Sequence, residues 1–278
     1  MSTNINFNKK LGITSRSSSI TLSSKELGFD NTSWNLDGQD DYLRNTVSYT
    51  TFGADSGNGA NVKWSVCFWI KPLGSLGNQN IFTLLDIRTV SNGPILKVGI
   101  LTDGSIKAYL NGFSNTDQTA AGGASLNNWS FISIVYDGTL TATNRLKAYV
   151  DADRTGATTS SVNANHAASG IIGLGAGFEM GGAGGNFEGH INEPAIWYGT
   201  ALSQSQLEDI YNSGGPALDL EDITGVPSPT NWFRSENAVW SGPDPGGVHY
   251  LMDDEMGTAN KIRTNNMLQT SRSQNVPI

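Results

Sequence analysis

Short apolar-rich stretches separated by turn residues recur along much of this chain, and this pattern is typical of β-strands. Residues 81–87, 95–101 and 105–110 are three consecutive stretches of this kind. Asp103-Gly104 lies between the last two and is a typical hairpin turn. The pattern predicts an all-β protein whose neighbouring strands are antiparallel.

One strand followed by one short helix is predicted late in the chain. Ser203 is a good N-cap and Gln206 completes a capping box. Leu202 and Leu207 are spaced as a hydrophobic staple across the same helix start. Gly214 is expected to end the helix, because glycine adopts the left-handed conformation at no steric cost. The rest of the chain predicts almost no helix.

Composition supports a β-rich domain with an acidic surface. The chain has 278 residues, enough to bury one sizeable core with extensions or two small ones. Its 33 glycines suit many short strands joined by tight turns. The formal net charge of −8 argues against a nucleic-acid-binding surface, and an acidic, soluble surface is its plain explanation.

Three further features bear on where the protein folds. Cys67 is the single cysteine and cannot form an internal disulfide, so we expect it to be a small, buried apolar side chain. Residues 1–10 lack the apolar segment of a signal peptide, and no stretch is long enough to cross a membrane. We therefore expect assembly in a reducing cytoplasm, with neither secretion nor membrane insertion.

Five segments, in the right order, resemble strands of the laminin-G-like, concanavalin-type jelly rolls. They are Trp-Asn-Leu-Asp-Gly-Gln-Asp-Asp-Tyr-Leu at 34–43, then 64–72, 129–137, 146–151, and the strand and helix of 187–213. Two positions depart from the family pattern, since Ala152 replaces a glycine and Asn192 replaces the usual aspartate. The resemblance implies an all-β, antiparallel β-sandwich jelly roll with one short C-terminal helix and extended N- and C-terminal segments.

The chain divides into three predicted segments. Residues 1–32 form an N-terminal arm, 33–213 the laminin-G-like jelly roll and 214–278 a C-terminal extension. The extension has many loop signals but is too apolar for a free tail, so we expect it to pack on the sandwich or on a partner. Apolar residues of the arm and the extension are the predicted partner-docking set: Ile5, Phe7, Ile20, Leu22, Trp232, Phe233 and Trp240.

The resemblance leaves function open, because this fold occurs in lectins, hydrolases, adhesins and virion proteins. Residues 231–277 also resemble segments that follow such domains in virion proteins of marine bacteriophages. Our first hypothesis is a phage virion structural protein: a capsid decoration protein or a head- or tail-fibre component, present in many copies or as a homo-oligomer. It would dock on other virion proteins through its terminal segments and display the sandwich, with weak glycan adhesion as a further role. The alternative is a free-standing carbohydrate-binding lectin or adhesin module.

A glycoside hydrolase is the third hypothesis, and the sequence argues against it. The related glucanases carry Glu-x-Asp-x-x-Glu on one strand, and retaining hydrolysis needs two carboxylates about 5 Å apart. This chain lacks that motif, and the odd spacing of Glu188 and Glu193 is expected to send them to opposite strand faces. We therefore predict that the protein is not an enzyme.

Calcium is the one cofactor that the resemblance implies, since laminin-G-like domains often bind it through oxygen ligands. The candidate ligands carried over by motif are Asp37, Asp40, Asp41, Asn192 and Glu193. The alternative is that Asp37 and the following glycine form a turn, and that Asn192 is a hydrogen-bonding residue at a strand edge.

Glycan binding on a sheet face would need exposed aromatic side chains that stack on sugar rings. Five tryptophans are available: Trp34, Trp64, Trp69, Trp129 and Trp197. Most of them match strand positions where aromatic side chains fill the space between two sheets. Core packing is the favoured role, and a sugar-stacking platform is the alternative.

Overall fold

Antiparallel pairing organises the described chain into two sheets that share one core. This computed structural model describes residues 32–45, 62–76, 79–85, 94–110, 115–159, 171–175, 185–215, 219–244, 247–258, 261–265, 267 and 271–277. The strands are β1 Ser33–Asp37, β2 Tyr42–Asn45, β3 Lys63–Pro72, β4 Gln79–Leu85, β5 Pro94–Ile100, β6 Ile106–Leu110, β7 Asn115–Gln118, β8 Ser130–Asp137, β9 Leu146–Val150, β10 Thr158–Thr159, β11 Ile171–Leu174, β12 Glu188–Tyr198, β13 Asn231–Trp232, β14 Val239–Asp244, β15 Gly247–Asp253, β16 Lys261–Asn265 and β17 Arg272–Ser273. Helix α1 covers Gln204–Tyr211, and 3₁₀ turns lie at Ala142–Asn144, Asn212–Gly214 and Ser235–Asn237.

The strand order is that of a sandwich with many crossovers between its layers. In the seven-stranded sheet the order is β17-β1-β12-β3-β8-β9, with β13 paired to β12. In the ten-stranded sheet the order is β10-β7-β6-β5-β4-β11-β2-β16-β15-β14. The prediction of an all-β antiparallel sandwich with one short helix is confirmed in the part of the chain that the structure describes.

The core between the sheets follows from strand alternation. On β8, Ile132, Ile134 and Tyr136 are fully buried in one apolar cluster. Leu96 and Val98 on β5 of the ten-stranded sheet belong to the same cluster. Burial of one such side chain contributes about 2 kcal/mol, so this layer holds the two sheets together.

The outer face of the seven-stranded sheet is also covered. Leu207 and Ile210 of α1 and Trp232 of β13 form a second buried cluster with Trp69 of β3. The segment 219–232 is held there by a hydrogen bond as well, because the indole N–H of Trp197 donates to a backbone carbonyl of this segment at 2.7 Å. Since β3 is enclosed on both faces, it is buried along nearly its whole length.

Residues of the predicted C-terminal extension complete both sheets. β13 and β17 join the seven-stranded sheet, and β16, β15 and β14 extend the ten-stranded sheet beyond β2. Trp232 and Phe233 are at most 1% exposed in the chain's own core, so the prediction that they dock on a partner is wrong. Trp240 packs edge-on against Tyr250, with ring centroids 4.8 Å apart, which uses its surface within the chain as well. The docking residues predicted in the arm lie outside the described residues: Ile5, Phe7, Ile20 and Leu22.

Local signals set the start of helix α1 as predicted. Ser203 is the N-cap: its Oγ accepts from the Gln206 backbone N–H at 3.3 Å, and Gln206 Oε1 accepts from the Ser203 N–H at 2.9 Å. The helix ends at Asn212, which is left-handed with φ 47°, two residues before the predicted Gly214. Among the described residues, no helix has the length and apolarity that crossing a membrane requires.

Candidate functional site

The outer face of the ten-stranded sheet carries charged and aromatic side chains, and strand alternation decides which ones. On β5 the residues flanking Lys97 are buried in the core, so Lys97 projects to the outer face. On β6, Ala108 is buried, and Lys107 and Tyr109 on either side of it project outward. All three outward side chains are partly exposed, so a ligand can reach this face at these positions.

A single row of directly paired residues crosses nine strands of this sheet. Because each member lies opposite the next, all of these positions share the outer face. The row, which we call the outer row, consists of Thr116, Tyr109, Lys97, Thr83, Gly173, Arg44, Arg263, Leu251 and Val239. None of its members is acidic, although the whole chain has a formal net charge of −8. The outer row therefore has the opposite sign to the chain as a whole.

Two ammonium groups lie near the ring of Tyr109. The Nζ atom of Lys97 is 5.6 Å from the ring centroid, and that of Lys107 is 5.1 Å from it. Burial lowers the pKa of Lys97 and raises the pKa of Tyr109, because removal from water disfavours the charged form of each group. This end of the outer row is thus positively charged and partly desolvated, which strengthens hydrogen bonds and ion pairs made there.

Two arginines form a second cationic cluster farther along the outer row. Arg44 on β2 lies directly opposite Arg263 on β16. The Nε atom of Arg44 is enclosed and has no hydrogen-bond partner among the described residues. Asp253, which lies diagonally across from Arg263, is paired with Lys261 instead. Like charges directly opposite each other destabilise a sheet, so this pair favours an anion from outside the chain.

Three of the five predicted calcium ligands lie together. Carboxylate oxygens of Asp37, Asp40 and Asp41 are within 4.8 Å of one another at the turn that follows β1. Gly38 has a φ of +75°, so the predicted turn at Asp37 and Gly38 is present as well. Burial and the nearby charge of Asp37 raise the pKa of Asp41 to about 7. A divalent cation would offset this repulsion, so the three carboxylates fit one.

The other two predicted calcium ligands lie elsewhere. Asp37 is opposite Glu188 on β12, whereas Asn192 is four residues farther along that strand, a separation of about 13 Å. Glu193 is buried, and its Oε1 lies 3.9 Å from the Nε atom of Arg234. The five residues therefore do not form one site, because the antiparallel pairing of β1 and β12 puts the two groups at opposite ends.

The carboxylates considered for glycoside hydrolysis occupy different environments. Glu188 is exposed and lies beside Gly38 and Gly74, whereas Glu193 is buried beside Arg234. A hydrolytic pair needs both carboxylates at one glycosidic bond. These two side chains do not flank a common space.

The tryptophans considered as sugar platforms pack mainly in the interior. Four of them are at most 3% exposed. Trp34 and Trp64 lie in the core between the sheets, as predicted, whereas Trp69 and Trp197 belong to the buried cluster on the outer face of the seven-stranded sheet. Trp129 is only partly buried; its ring centroid is 5.9 Å from that of His190, and its indole N–H donates to Asn275 Oδ1 at 3.3 Å. Cys67 is buried as predicted, and burial raises the pKa of its thiol to about 12.

A concave surface, which we call the edge cleft, lies at the edge of the seven-stranded sheet. A cleft of about 380 Å³ opens beside β9 and the start of α1, and Arg145, Lys147 and Arg154 line it. Arg154 donates two hydrogen bonds to the Asp117 carboxylate, at 2.8 and 3.2 Å, and Arg145 Nε donates to the Leu140 carbonyl at 3.0 Å. Because two of its three cations are engaged within the chain, this cleft is a weaker candidate than the outer row.

The outer row was not among the predicted site residues, although the sequence holds a signal for part of it. Residues 95–101 and 105–110 are predicted strands. Lys97, Lys107 and Tyr109 occupy the alternate positions of these strands that face outward. The arginine pair has no comparable local signal, because the pairing of β2 with β16 joins residues more than 200 positions apart.

Residues 39–208 match the family model Laminin_G_3, described as the Concanavalin A-like lectin/glucanases superfamily. This match covers more than half of the chain. The chain belongs to this family. The predicted laminin-G-like, concanavalin-type jelly roll is thereby confirmed. No curated protein sequence matches the chain.

Solved structures of low sequence identity share the family's fold. The native heptameric SAP-like pentraxin from Limulus polyphemus has a TM-score of 0.50 and 17% identity, over 68% of this chain and 83% of that one. A candidate carbohydrate binding protein from Bacteroides ovatus has a TM-score of 0.55 and 14% identity, over 90% of this chain and 62% of that one. At these identities the likeness shows the fold alone.

Proposed function

We propose that this chain is a carbohydrate-binding domain of the lectin or adhesin type, and that the outer row is its glycan-binding surface. One observation carries the proposal. Helix α1 and residues 219–232 cover the outer face of one sheet, whereas the other sheet presents partly exposed cationic and aromatic side chains. Membership in a family described by its lectins and glucanases supports this choice. The candidate carbohydrate binding protein from Bacteroides ovatus, which has the same fold, supports it as well.

The outer row supplies the groups that sugar recognition uses. Lysine and arginine N–H groups donate to hydroxyl oxygens, and the phenol of Tyr109 both donates and accepts. The backbones that carry these side chains are fixed about 4.8 Å apart by strand pairing, so the surface is organised before a ligand arrives. No member of the outer row is a carboxylic acid, and binding without bond cleavage is the activity that this set of side chains supports.

Display on a phage virion stays a prediction from the sequence. Two of its docking residues, Trp232 and Phe233, are buried in the core, so docking would rely on another part of the chain. Glycan binding is compatible with such display, since many copies on one particle would strengthen weak adhesion. Mass spectrometry of purified particles from the chain's source would test the location.

Calcium would be held by Asp37, Asp40 and Asp41, whose carboxylates are already close together. Backbone oxygens and water would have to complete the six to eight ligands that this cation prefers. Because bound calcium requires ionised Asp41, we expect millimolar calcium to raise the melting temperature at pH 8 and to do so less at pH 6. Asp40→Asn should remove most of that shift, and the exposed helix variant Asp209→Asn should not. An identical melting temperature with calcium and with chelator at pH 8 would contradict the calcium site.

Calorimetric titration of the full chain with a panel of neutral and acidic oligosaccharides tests the proposed function. We expect at least one glycan to bind, and Tyr109→Ala to weaken that binding about tenfold, or 1.4 kcal/mol, because the ring is lost from the centre of the cationic cluster. Lys147→Ala, in the edge cleft, is the control and should bind like the parent chain. Failure of every glycan to bind, or an equal loss in the two variants, would contradict the proposal.

A further inference from the structure

We propose that the ligand of the outer row is an acidic glycan, an oligosaccharide that carries carboxylate or sulfate groups on more than one sugar. This inference rests on the proposed function and names the class of ligand. Its basis is the arrangement of two cationic clusters along one row of paired positions, in a chain whose overall charge is negative.

The first cluster concentrates positive charge around one ring. Lys97 and Lys107 both place Nζ between 5.1 and 5.6 Å from the Tyr109 ring centroid. The two ammonium groups and the phenol O–H together can donate to a carboxylate or a sulfate, and hydrogen bonds to ionised groups are about twice as strong as neutral ones. An acidic sugar can add ionic attraction to these hydrogen bonds, which a neutral sugar cannot, so an acidic sugar is the better match.

The second cluster is a pair of guanidinium groups. Arg44 lies directly opposite Arg263, and the enclosed Nε of Arg44 has no hydrogen-bond partner among the described residues. Guanidinium groups bind carboxylate and sulfate-like anions through paired N–H donors in one plane. An anion bound by these two partly exposed arginine side chains would offset the repulsion between them.

The distance between the clusters sets the size of the ligand. Lys97 on β5 and Arg44 on β2 are separated by three strand spacings, through β4 and β11, which is about 14 Å. An oligosaccharide laid across the strands spans this backbone separation and can present one anionic group to each cluster. The ligand should therefore carry at least two anionic groups.

Binding of matched polymer pairs to the full chain tests this inference. Polygalacturonate is compared with its methyl ester, and dextran sulfate with dextran, so that each pair differs only in its anionic groups. We expect the acidic member of at least one pair to bind at least tenfold more tightly in 50 mM salt. Raising the salt concentration should weaken that binding, because it screens partly exposed charges. The two pairs together distinguish carboxylate from sulfate as the preferred group.

Charge-removing variants locate the binding site. Lys97→Gln and Arg44→Gln should each weaken binding of the preferred acidic polymer about tenfold, because each removes a charged donor to the anion. Arg145→Gln and Lys147→Gln in the edge cleft remove the same charges and should each change it less than twofold. If Arg44→Gln does not fold, the variant Lys97→Gln with Lys107→Gln carries the test, since both side chains are partly exposed.

The possible results separate the inference from the proposed function. Equal binding of the acidic and neutral members of each pair would overturn the inference and leave the proposed function standing. Failure of every polymer and oligosaccharide to bind would overturn both. Equal losses in the outer-row and edge-cleft variants would overturn the inference, because the polymer would then be attracted by positive charge in general and not bound at one site. Equally tight binding of single-stranded DNA would also overturn it, because the surface would then select any polyanion.

Discussion

Asp117 joins the two sheets, and its removal should destabilise the whole sandwich. It lies on β7 of the ten-stranded sheet with its side chain fully buried. Its carboxylate accepts from Arg154 at 2.8 and 3.2 Å and from the backbone N–H of Ala148 at 2.6 Å. Ala148 is on β9, the edge strand of the seven-stranded sheet, so Asp117 caps an N–H that has no further strand to pair with.

The magnitude follows from these three contacts. Asp117→Ala leaves a backbone N–H without its charged acceptor, which costs about 1.5–3 kcal/mol. It also breaks the ion pair with Arg154, and breaking a buried pair costs about 3–5 kcal/mol. The Arg154 side chain is 23% exposed, so water solvates part of its charge once the Asp117 carboxylate is removed. We therefore expect the free energy of unfolding to fall by roughly 3–4 kcal/mol in total.

Urea unfolding, monitored by tryptophan fluorescence, measures this loss. The control is Lys63→Ala, which breaks the more exposed ion pair between Lys63 and Asp137, with 3.0 Å between Nζ and Oδ2. Such surface pairs contribute about 0–1 kcal/mol, so the control should change little. A double-mutant cycle with Arg154→Ala should show coupling above about 1 kcal/mol. A loss below 1 kcal/mol for Asp117→Ala, or one equal to the control, would refute the role of Asp117 as a tie between the sheets.

Three further variants test the fold and the acidic turn, each by urea unfolding. Trp232→Ala should cost about 3–5 kcal/mol, because it opens a cavity under α1, and a loss below 1.5 kcal/mol would mean that β13 packs loosely. Ser203→Ala should cost about 1 kcal/mol through loss of the N-cap, whereas Ser228→Ala in an exposed loop should cost nothing measurable. The pKa of Asp41 is raised from 3.8 to about 7, so the folded state keeps a proton between these values that the unfolded state has lost. In chelator, the free energy of unfolding should therefore fall as the pH rises from 4 to 7, and Asp41→Asn should flatten that trend. An equal dependence on pH in both proteins would contradict the burial of this carboxyl.

Much of the fold could be predicted because its determinants are local. Alternation sets β5 and β6, the capping box at Ser203 starts α1, and Asp103-Gly104 turns the chain between two paired strands. The C-terminal strands were harder to predict, because β14, β15 and β16 depend on β2, about 200 residues earlier in the chain. The aromatic residues of that segment predict that it packs on the sandwich or on a partner, but the sequence does not decide between the two.

The candidate site was predicted only in part, for a related physical reason. The carboxylates of Asp37, Asp40 and Asp41 are close because they share one turn, which sequence proximity indicates directly. Asn192 and Glu193 were assigned by motif, and the register of β1 on β12 places them away from that turn. The outer row depends on pairing across nine strands, and no local pattern encodes such a register.

Lysine footprinting tests most directly the claim that the outer row binds glycans. The full chain would be acetylated briefly with and without the tightest-binding glycan of the panel, and modification at each lysine read by mass spectrometry. We expect the glycan to protect Lys97 and Lys107 and to leave Lys63 and Lys147 unchanged, because only the first two lie beside Tyr109 on the outer face. Protection of Lys147 with Lys97 and Lys107 unaffected would place the glycan in the edge cleft and contradict the account.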